Sequence, residues 1–463
     1  MLKPFPAMPT RCLKLLTASW LAFALVAWSF SCAHAQVAAA GTAPAKKAVI
    51  TAESVEAATK TILEQVGELR QLKVLKPVKS GIKSRAEIEQ MVIRNFDEET
   101  KPEKLAAANK ALIAFGLAPQ DFKYRDFSIR LLTEQVAGFY DPKTKEFFLA
   151  DWNDLEAQKP VIAHELTHAL QDQHFDLRRF EKWPDGDSDR EMAIHALIEG
   201  DASALMYDFM LRPMGQSVAK MPMSIIALSE TGMAMAGGDE MKLFKAAPAA
   251  IRDSLIFPYV YGAGFVQEML RKKGWEGVSQ AFTDLPQSTE QILHFDKYLA
   301  GEKPVKVELA DLTAQLGKGW KNLLTDINGE FGYSSLLSEF IPKAEAKAAA
   351  AGWGGDQFAL YERAADGRLL IVQRSEWDTK QDAEEFFKAY AARTRKRYAT
   401  AKEREGLPAT QRSFATPDGE TFIELRDQSV VVIEGLPADQ LRDLAKISDV
   451  LQTDVAKATN RQQ

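Results

Sequence analysis

The feature that most constrains this chain is the pentapeptide HELTH, from His164 to His168. It lies in the run VIAHELTHALQDQHF, whose apolar residues recur at helical spacing, so a helix beginning near Pro160 is predicted. Histidines four positions apart share one helix face, where both imidazoles can bind one Zn²⁺ while Glu165 acts as a general base on water. Because a catalytic zinc takes three protein ligands, the fold must bring a third ligand to this face.

His174 is one candidate for the third ligand. It lies ten residues after His164, the spacing found in the pattern HExxHxxGxxH, but position 171 is Gln rather than the Gly that lets such a chain turn back to the metal. On a continuous helix, ten residues at about 100° each place His174 about 80° from the face of His164 and nearly three turns along the helix. Helix geometry therefore disfavours His174 as a ligand.

A second predicted helix is the better source of a third ligand. Residues 189–210 are predicted to be helical, and Glu191, His195 and Glu199 recur four apart on one face. Glu199 begins the sequence EGDA, in which a glycine and a small residue permit the close approach of two helices around a metal. We therefore expect Glu199 to complete the site.

With HELTH on one helix and Glu199 on a later one, the segment 160–210 resembles the gluzincin metallopeptidases. The resemblance implies a zincin-like fold, mostly helical with a small sheet, and a peptide or protein as substrate. It also implies a peptidase site with His164, His168 and Glu199 on Zn²⁺ and Glu165 as the general base.

The resemblance is incomplete in the groups that support the metal ligands. Thermolysin-like members carry an Asp four residues after the glutamate ligand, and this chain has Ser203 there. Asp172 and Asp201 are candidates for the carboxylate that orients a zinc-bound histidine, and the alternative for each is an acid on the solvated surface. The subfamily and the substrate are therefore left open.

A peptidase of this kind also needs a hydrogen-bond donor for the tetrahedral oxyanion. His294 is the first candidate for this catalytic role, because it lies one helical turn beyond a capping signature that begins at Ser288. The alternative is an ordinary half-buried histidine. Tyr259 and Tyr261 compete for the role, although aromatic residues at such spacing usually belong to the core. The sequence contains no G-x-S-x-G serine motif.

The N-terminal residues indicate where the protein acts. Cations precede the apolar stretch 15–30, which leads to Ala-His-Ala at 33–35, so residues 1–35 are predicted to be a secretory signal peptide. We therefore expect a periplasmic or secreted protein. Both cysteines, Cys12 and Cys32, lie in this segment. A lipoprotein anchored through Cys32 is disfavoured, because the residues just before it lack the aliphatic side chain that such sites usually carry.

Composition and charge exclude several classes of protein. The chain has 46% hydrophobic and 26% charged residues, which is ordinary for a globular protein and unlike a disordered, collagenous or multi-pass membrane protein. No segment after the predicted signal is apolar enough for a membrane helix. The first 35 residues hold three cations and no acids, so their removal leaves 428 residues with a formal charge of −9. Nucleic acid is therefore not an expected partner.

Composition shifts predict two domains in an α+β chain. After a linker at 36–50, residues 51–342 are expected to form the zincin-like domain with its N-terminal helical region. The run KAEAKAAAAG at 343–352 is predicted to be a second linker, and residues 353–463 a smaller α+β domain. Residues 136–150 predict a β-hairpin around a Pro-containing turn. Because this hairpin directly precedes the HELTH helix, we expect one of its strands to form the rim of the cleft.

The sequence therefore favours a secreted or periplasmic zinc metallopeptidase. One alternative is a zinc amidase or hydrolase that acts on envelope material other than protein, since the same metal site supports both reactions. Another is a non-catalytic envelope binding or assembly protein with a structural metal, against which Glu165 argues, because a structural site needs no acid between its histidines. The oligomeric state, endo- or exo-cleavage, and a pro-segment role for residues 36 to 75 are left open.

Overall fold

The fold is that of a computed structural model, which describes residues 50–99, 101–152, 154–182, 186–222 and 242–453. The predicted signal peptide and nearly all of the linker predicted at 36–50 lie outside the described residues. Within those ranges, no helix is long and apolar enough to cross a membrane. The fold class is α+β, as predicted, with mainly helices before residue 320 and a large antiparallel sheet after it.

Helices form most of the part before residue 320. The first, α1 (Ala52–Arg70), begins with a capping box between Thr51 and Ser54 and ends at Gln71, whose φ of 60° terminates the last turn. The helices that follow in this part are α2 (Arg85–Glu99), α3 (Pro102–Ala114), α4 (Tyr124–Gln135), α5 (Leu155–Phe175), α6 (Ser188–Leu211), α7 (Lys242–Ala246), α8 (Ala249–Ala281), α9 (Thr289–Leu293), α10 (Phe295–Ala300) and α11 (Thr313–Leu316).

A small sheet packs against α5. Its strands are β1 (Lys79–Lys83), β2 (Gly138–Asp141) and β3 (Glu146–Ala150), in the spatial order β1-β3-β2. Strands β2 and β3 form the predicted hairpin, and β1 pairs with β3 in parallel. Strand β2 is therefore an edge of this sheet, and it is the strand that contacts α5 most closely.

The helix that carries HELTH begins earlier than predicted. Helix α5 starts at Leu155, and Asp154 caps it by accepting a hydrogen bond from the N–H of Ala157. Pro160 lies inside the helix rather than in its first turn, so the predicted start is wrong. The aspartate is the stronger start signal, because its side chain satisfies a backbone N–H that has no partner within the helix.

Helices α5, α6 and α8 share one apolar core with α1 and the small sheet. Helix α6 packs along α8 on one side and against α5 on another, and α1 packs on α5. Helix α8 is interrupted at Gly274, whose φ of 64° is the left-handed conformation that favours glycine. Elements that precede the HELTH helix in the chain and elements that follow it therefore pack around it.

The C-terminal part is built on a second sheet. Its elements are β4 (Trp320–Asp326), α12 (Gly329–Ser338), α13 (Lys343–Ala350), β5 (Trp353–Arg363), β6 (Leu369–Trp377), α14 (Lys380–Arg397), β7 (Lys402–Glu403), β8 (Gln411–Thr416), β9 (Gly419–Arg426), β10 (Ser429–Leu436) and α15 (Leu444–Thr453). The seven strands pair antiparallel in the order β4-β5-β6-β10-β9-β8-β7. One face packs on α12, α13, α14 and α3, and the other on α11 and α15.

The boundary between the two parts differs from the prediction. The segment 343–352, predicted to be a linker, forms α13, and Ala346 and Ala350 are fully buried in the core on one face of the sheet. A run of alanine and lysine has high helix propensity, and its small side chains can pack closely. In addition, β4 pairs with β5, so the second part begins before residue 353.

Candidate metal centre

The two histidines of HELTH and Glu199 converge between α5 and α6, and we call these three residues the trio. Oε2 of Glu199 lies 3.2 Å from Nε2 of His164 and 3.3 Å from Nε2 of His168, and the two ring nitrogens are 3.2 Å apart. All three side chains are buried. The structure therefore brings Glu199 to both histidines, which is the placement that the helix spacing predicts.

The spacing within the trio suits a tetrahedral cation. Ligand atoms about 2.0–2.2 Å from a tetrahedral zinc are about 3.3–3.6 Å from one another. The three distances in the trio, 3.2 to 3.3 Å, are close to these values. Two imidazole nitrogens and one carboxylate oxygen are also donors that zinc accepts. The donor set and its geometry therefore fit zinc.

Burial and charge act in opposite directions on the trio. Burial would raise the pKa of Glu199, but His168 and His164 outweigh it and hold this pKa well below its usual range. Burial lowers the pKa of His164, whereas for His168 burial is outweighed by the charge of Glu199, which raises the pKa to about 9. An ionised carboxylate in such a buried position needs a positive charge beside it, which the protonated ring of His168 supplies here and which a divalent cation in place of that proton would also supply.

Glycines bring α8, rather than α5, into closest approach with α6. A Cβ atom on Gly200 would lie 2.2 Å from the carbonyl carbon of Gly262, and a Cβ atom on Gly262 would lie 2.0 Å from the carbonyl oxygen of Ala196. The close approach predicted from Gly200 is therefore with α8 and not with the HELTH helix, because the spacing of small residues does not say which helix approaches them. The close crossing places α8 beside the trio.

Tyr259, on α8, contacts two members of the trio. Its ring stacks on the ring of His164, with centroids 6.0 Å apart and planes 27° apart, and its hydroxyl hydrogen-bonds to Glu199. Burial and the carboxylates of Glu199 and Glu165 raise the pKa of Tyr259 well above its usual value, so the hydroxyl keeps its proton and remains a donor. Tyr261 is oriented elsewhere, since its hydroxyl accepts a hydrogen bond from Lys347.

Glu165 is held by the edge strand β2. The backbone N–H of Tyr140 donates to Oε2 of Glu165 over 2.9 Å. The carboxylate is almost completely buried, and burial raises its pKa to about 8. The hairpin therefore lies on the same side of the domain as the trio, where the sequence led us to expect it.

Gln171 is a functional candidate that the sequence analysis missed. Its Oε1 lies 2.9 Å from Nδ1 of His168, three residues earlier on the same helix. Asp172 and Asp201 are both buried, so their alternative as solvated surface acids is wrong. Asp172 accepts hydrogen bonds from the hydroxyl of Tyr140 and from a lysine of the hairpin. The sequence feature that could have identified Gln171 is its position three residues after His168, which places the two side chains next to each other on one helix face.

The other histidines near HELTH and on α6 are not members of the trio. Helix α5 continues through His174, whose Nε2 donates to the carbonyl oxygen of Lys73 at 2.8 Å. His195 and Glu191, on the face of Glu199, are only partly buried. Of these three residues, Glu199 is the one whose ligand atom lies within 4.8 Å of ligand atoms of both HELTH histidines.

His294 lies in a different environment from the trio. Its Nε2 is 2.9 Å from Oε1 of Glu330, which raises the pKa of His294. Both residues line a cavity of about 540 Å³ together with Arg252 and Tyr261, and no trio residue lines that cavity. The aromatic side chain of Tyr259, in contrast, does contact the trio from another helix.

A second group of acids has the spacing of a cation site. It consists of Glu290, Glu302 and Asp378. The ammonium group of Lys297 forms ion pairs with all three carboxylates at 2.5 to 2.7 Å. The lysine supplies the positive charge that this group needs, so it is an ion-pair network and not a metal centre.

Comparisons with known proteins concern the C-terminal part. Residues 319–445 match a family described as a domain of unknown function, DUF8575. The matched segment spans β4 to β10 and excludes every residue of the trio. No curated protein and no solved structure matches the chain.

Proposed function

We propose that this chain is a zinc-dependent metallopeptidase of the gluzincin type, with a zincin-like catalytic domain before the seven-stranded sheet. The observation that carries the proposal is the convergence of His164, His168 and Glu199 at distances that suit zinc, next to the buried Glu165. Two histidines and a glutamate leave a fourth position open for hydrolysis, and a purely structural site would have no need of Glu165.

The residues around the trio have distinct roles in this proposal. Zinc would lower the pKa of the attacking water and polarise the carbonyl of the scissile bond. Glu165 would take the proton of that water and pass it to the leaving amine, with its carboxylate oriented by the hydrogen bond from the N–H of Tyr140 to Oε2. Tyr259, in place of the expected His294, would turn its one hydroxyl hydrogen from Glu199 to the developing oxyanion once a cation holds Glu199.

The position of β2 supports a peptide as the substrate. Strand β2 is at the edge of its sheet, and the N–H of Tyr140 points from it toward Glu165. An extended peptide that lies beside this strand would bring its scissile bond to the trio. With the predicted signal peptide, the substrate would be a peptide or protein in the periplasm or outside the cell.

The test compares three variants with the wild-type chain. Glu165→Gln keeps the size of the side chain but cannot accept the proton, so it should retain zinc and lose at least about 100-fold in hydrolysis of a general protein substrate. His164→Ala and His168→Ala should each lose zinc, because each removes one of three ligands. Metal analysis and a protease assay on the same samples measure both effects.

Glu156→Gln is the matched control for Glu165→Gln. It makes the same chemical change on the same helix, where the side chain of Glu156 is exposed and pairs with Lys159, so zinc and turnover should be unchanged. Zinc retained in both histidine variants, or near wild-type turnover in Glu165→Gln, would contradict the proposal. Stoichiometric zinc without cleavage of any peptide would favour the amidase alternative.

A further inference from the structure

A chain of buried hydrogen bonds leads from the trio to α1. Nδ1 of His168 lies 2.9 Å from Oε1 of Gln171, and Nε2 of Gln171 donates to Oδ2 of Asp201 over 2.9 Å. Nε of Arg70 donates to Oδ1 of Asp201 over 2.7 Å. Gln171, Asp201 and Arg70 are all fully buried. One cation from the N-terminal helix is therefore linked to a candidate metal ligand through two side chains.

The partners of Gln171 fix the hydrogen of His168. Nε2 of Gln171 donates to the carbonyl oxygen of Ile198 as well as to Asp201, and both of these groups are acceptors. The amide must therefore turn its oxygen toward His168, which has to donate from Nδ1. In the neutral ring that binds a metal, the lone pair of His168 is then on Nε2, the atom that faces the other members of the trio. This is the tautomer that a metal-binding histidine requires.

Arg70 determines where the carboxylate of Asp201 lies. Its guanidinium also donates to the carbonyl oxygen of Trp275 and to Oγ of Ser279, and it lies 4.9 Å from the ring centroid of Trp275. Arg70 is thus fastened to α8 while it pairs with Asp201 on α6. Without this cation, Asp201 would be a buried carboxylate with no counter-charge, and it would not stay where Gln171 needs its acceptor.

We infer that Arg70 is a positioning residue of the metal centre, which fixes the orientation and tautomer of His168 through Asp201 and Gln171. The inference rests on the proposed zinc function. It also makes α1 a permanent part of the centre, in contrast to the possibility that this region is an inhibitory segment that is removed.

The test measures zinc affinity in Arg70→Met by competition with a chelator. The variant should bind zinc about 10–100-fold more weakly. In other metal sites, loss of a side chain that supports a metal ligand lowers the metal affinity by this factor. Arg70→Lys keeps a cation and should recover part of the affinity. Arg212→Met is the matched control: Arg212 pairs with Glu68 and also joins α1 to the end of α6, but at an exposed site, so zinc affinity should be unchanged.

A double-mutant cycle separates positioning from general stability. If Arg70 acts through Asp201, the loss caused by Arg70→Met should largely disappear in the Asp201→Asn background, where no carboxylate needs a counter-charge. Should Arg70→Met fail to fold alone, the double variant and Arg70→Lys still carry the test. Wild-type zinc affinity in Arg70→Met, or equal losses in both backgrounds, would overturn the inference. Zinc retained in His164→Ala would instead overturn the proposed function.

Discussion

Single contacts hold the reactive side chains of the candidate centre in place before any cation binds. The N–H of Tyr140 holds Glu165, and the hydroxyl of Tyr259 holds Glu199. Ordering a flexible side chain on binding reduces affinity, so partners that fix these carboxylates beforehand favour binding. The two partners come from β2 and α8, which are far apart in sequence from each other. The chemistry at the residue scale therefore depends on contacts that no local motif contains.

The variant Tyr259→Phe tests the role of its hydroxyl. The phenyl ring can still stack on His164 and the three ligands remain, so zinc should still bind, but more weakly than in wild type because Glu199 loses the hydrogen bond that orders it. Hydrolysis by the zinc-loaded protein should fall by about 100-fold or more, because one oxyanion donor is worth about 10²–10³ in kcat. Steady-state kinetics of the zinc-loaded protein measure this loss. Tyr261→Phe, two positions later, removes a hydroxyl that bonds to Lys347 and should retain activity. Loss of activity in His294→Gln with full activity in Tyr259→Phe would return the role to His294.

The sequence contains the information for the trio but not for its supporting contacts. Helical spacing alone predicts that His164 and His168 share a face and that His174 does not. The contacts of Gln171 and Tyr259 depend on how α5, α6 and α8 cross, and a crossing is decided by the packing of whole helix surfaces. For the same reason, Asp172 could not be recognised as buried from its sequence neighbours.

At the scale of elements, the crossing of α6 and α8 sets the geometry of the centre. Glu199 and Gly200 are neighbours on α6, and Gly262 lies one turn beyond Tyr259 on α8. The backbones meet where the glycines lie, so Glu199 and Tyr259 approach each other to hydrogen-bonding distance. The distance between the helices and the position of the third ligand are therefore coupled.

Gly262→Ala should separate the two helices. The new Cβ atom would lie 2.0 Å from the backbone carbonyl oxygen of Ala196, which cannot move without the helix. We expect the free energy of unfolding to fall by about 1–3 kcal/mol or more, as in other overpacked cores. Zinc affinity should fall as well, because Glu199 would move with α6. Denaturant unfolding and chelator competition on the same variant measure the two effects.

Gly332→Ala, on α12, is the control for this substitution. Its Cβ atom would meet side-chain atoms of Asn328, the nearer at 3.3 Å, and no backbone atom, so the stability should change by less than about 1 kcal/mol. Equal stability of the two glycine variants would mean that the α6–α8 crossing can loosen without cost, in contradiction to the packing described above.

Secondary structure was predictable where its signal is local. Helix α6 follows its apolar spacing, and the strands β5, β6, β8, β9 and β10 follow runs of apolar and β-branched residues bounded by turn residues. Strand β4 has no comparable local signal, because a bulge between Asn322 and Leu324 shifts its register and interrupts the apolar pattern of the strand. The alanine and lysine composition of α13 is common in helices and in linkers, so the sequence alone predicts a linker there. Burial against the sheet distinguishes the helix from a linker.

At the scale of the whole molecule, α6 connects the candidate centre to the C-terminal sheet. Near one end of this helix, Ser188 donates its N–H and its hydroxyl to the carboxylate of Asp326, at the end of β4. On the next strand, Asp356 accepts hydrogen bonds from the backbone N–H groups of Asn328 and Gly329. Asp326 therefore fastens the sheet to the helical part that holds the trio, and Asp356 holds the start of α12 against β5.

Burial makes this connection dependent on pH. It raises the pKa of Asp326 and of Asp356 from 3.8 to about 6, although hydrogen bonds to each carboxylate oppose the change and nearby Asp187 adds to it for Asp326. Between these values the folded chain binds protons that the unfolded chain has released. Each group therefore stabilises the fold fully below about pH 4, and this contribution is lost as the pH rises through about 6.

The variant Asp326→Asn isolates the contribution of Asp326 to the pH dependence, because an asparagine side chain cannot ionise. The titration of the trio is the same in the variant and in wild type, so it cancels in the comparison. The difference between pKa values of 3.8 and about 6 corresponds to roughly 3 kcal/mol. The unfolding free energy of Asp326→Asn, relative to wild type, should therefore rise by about 1.4 kcal/mol between pH 5 and pH 8, as measured by urea unfolding, because the rest of the change falls below pH 5. Asp439→Asn, which changes an exposed acid paired with Arg363, should show a difference that is nearly independent of pH. If Asp326→Asn behaves in the same way as this control, the buried carboxylate does not titrate between the two pH values and the sheet is fastened by hydrogen bonds alone.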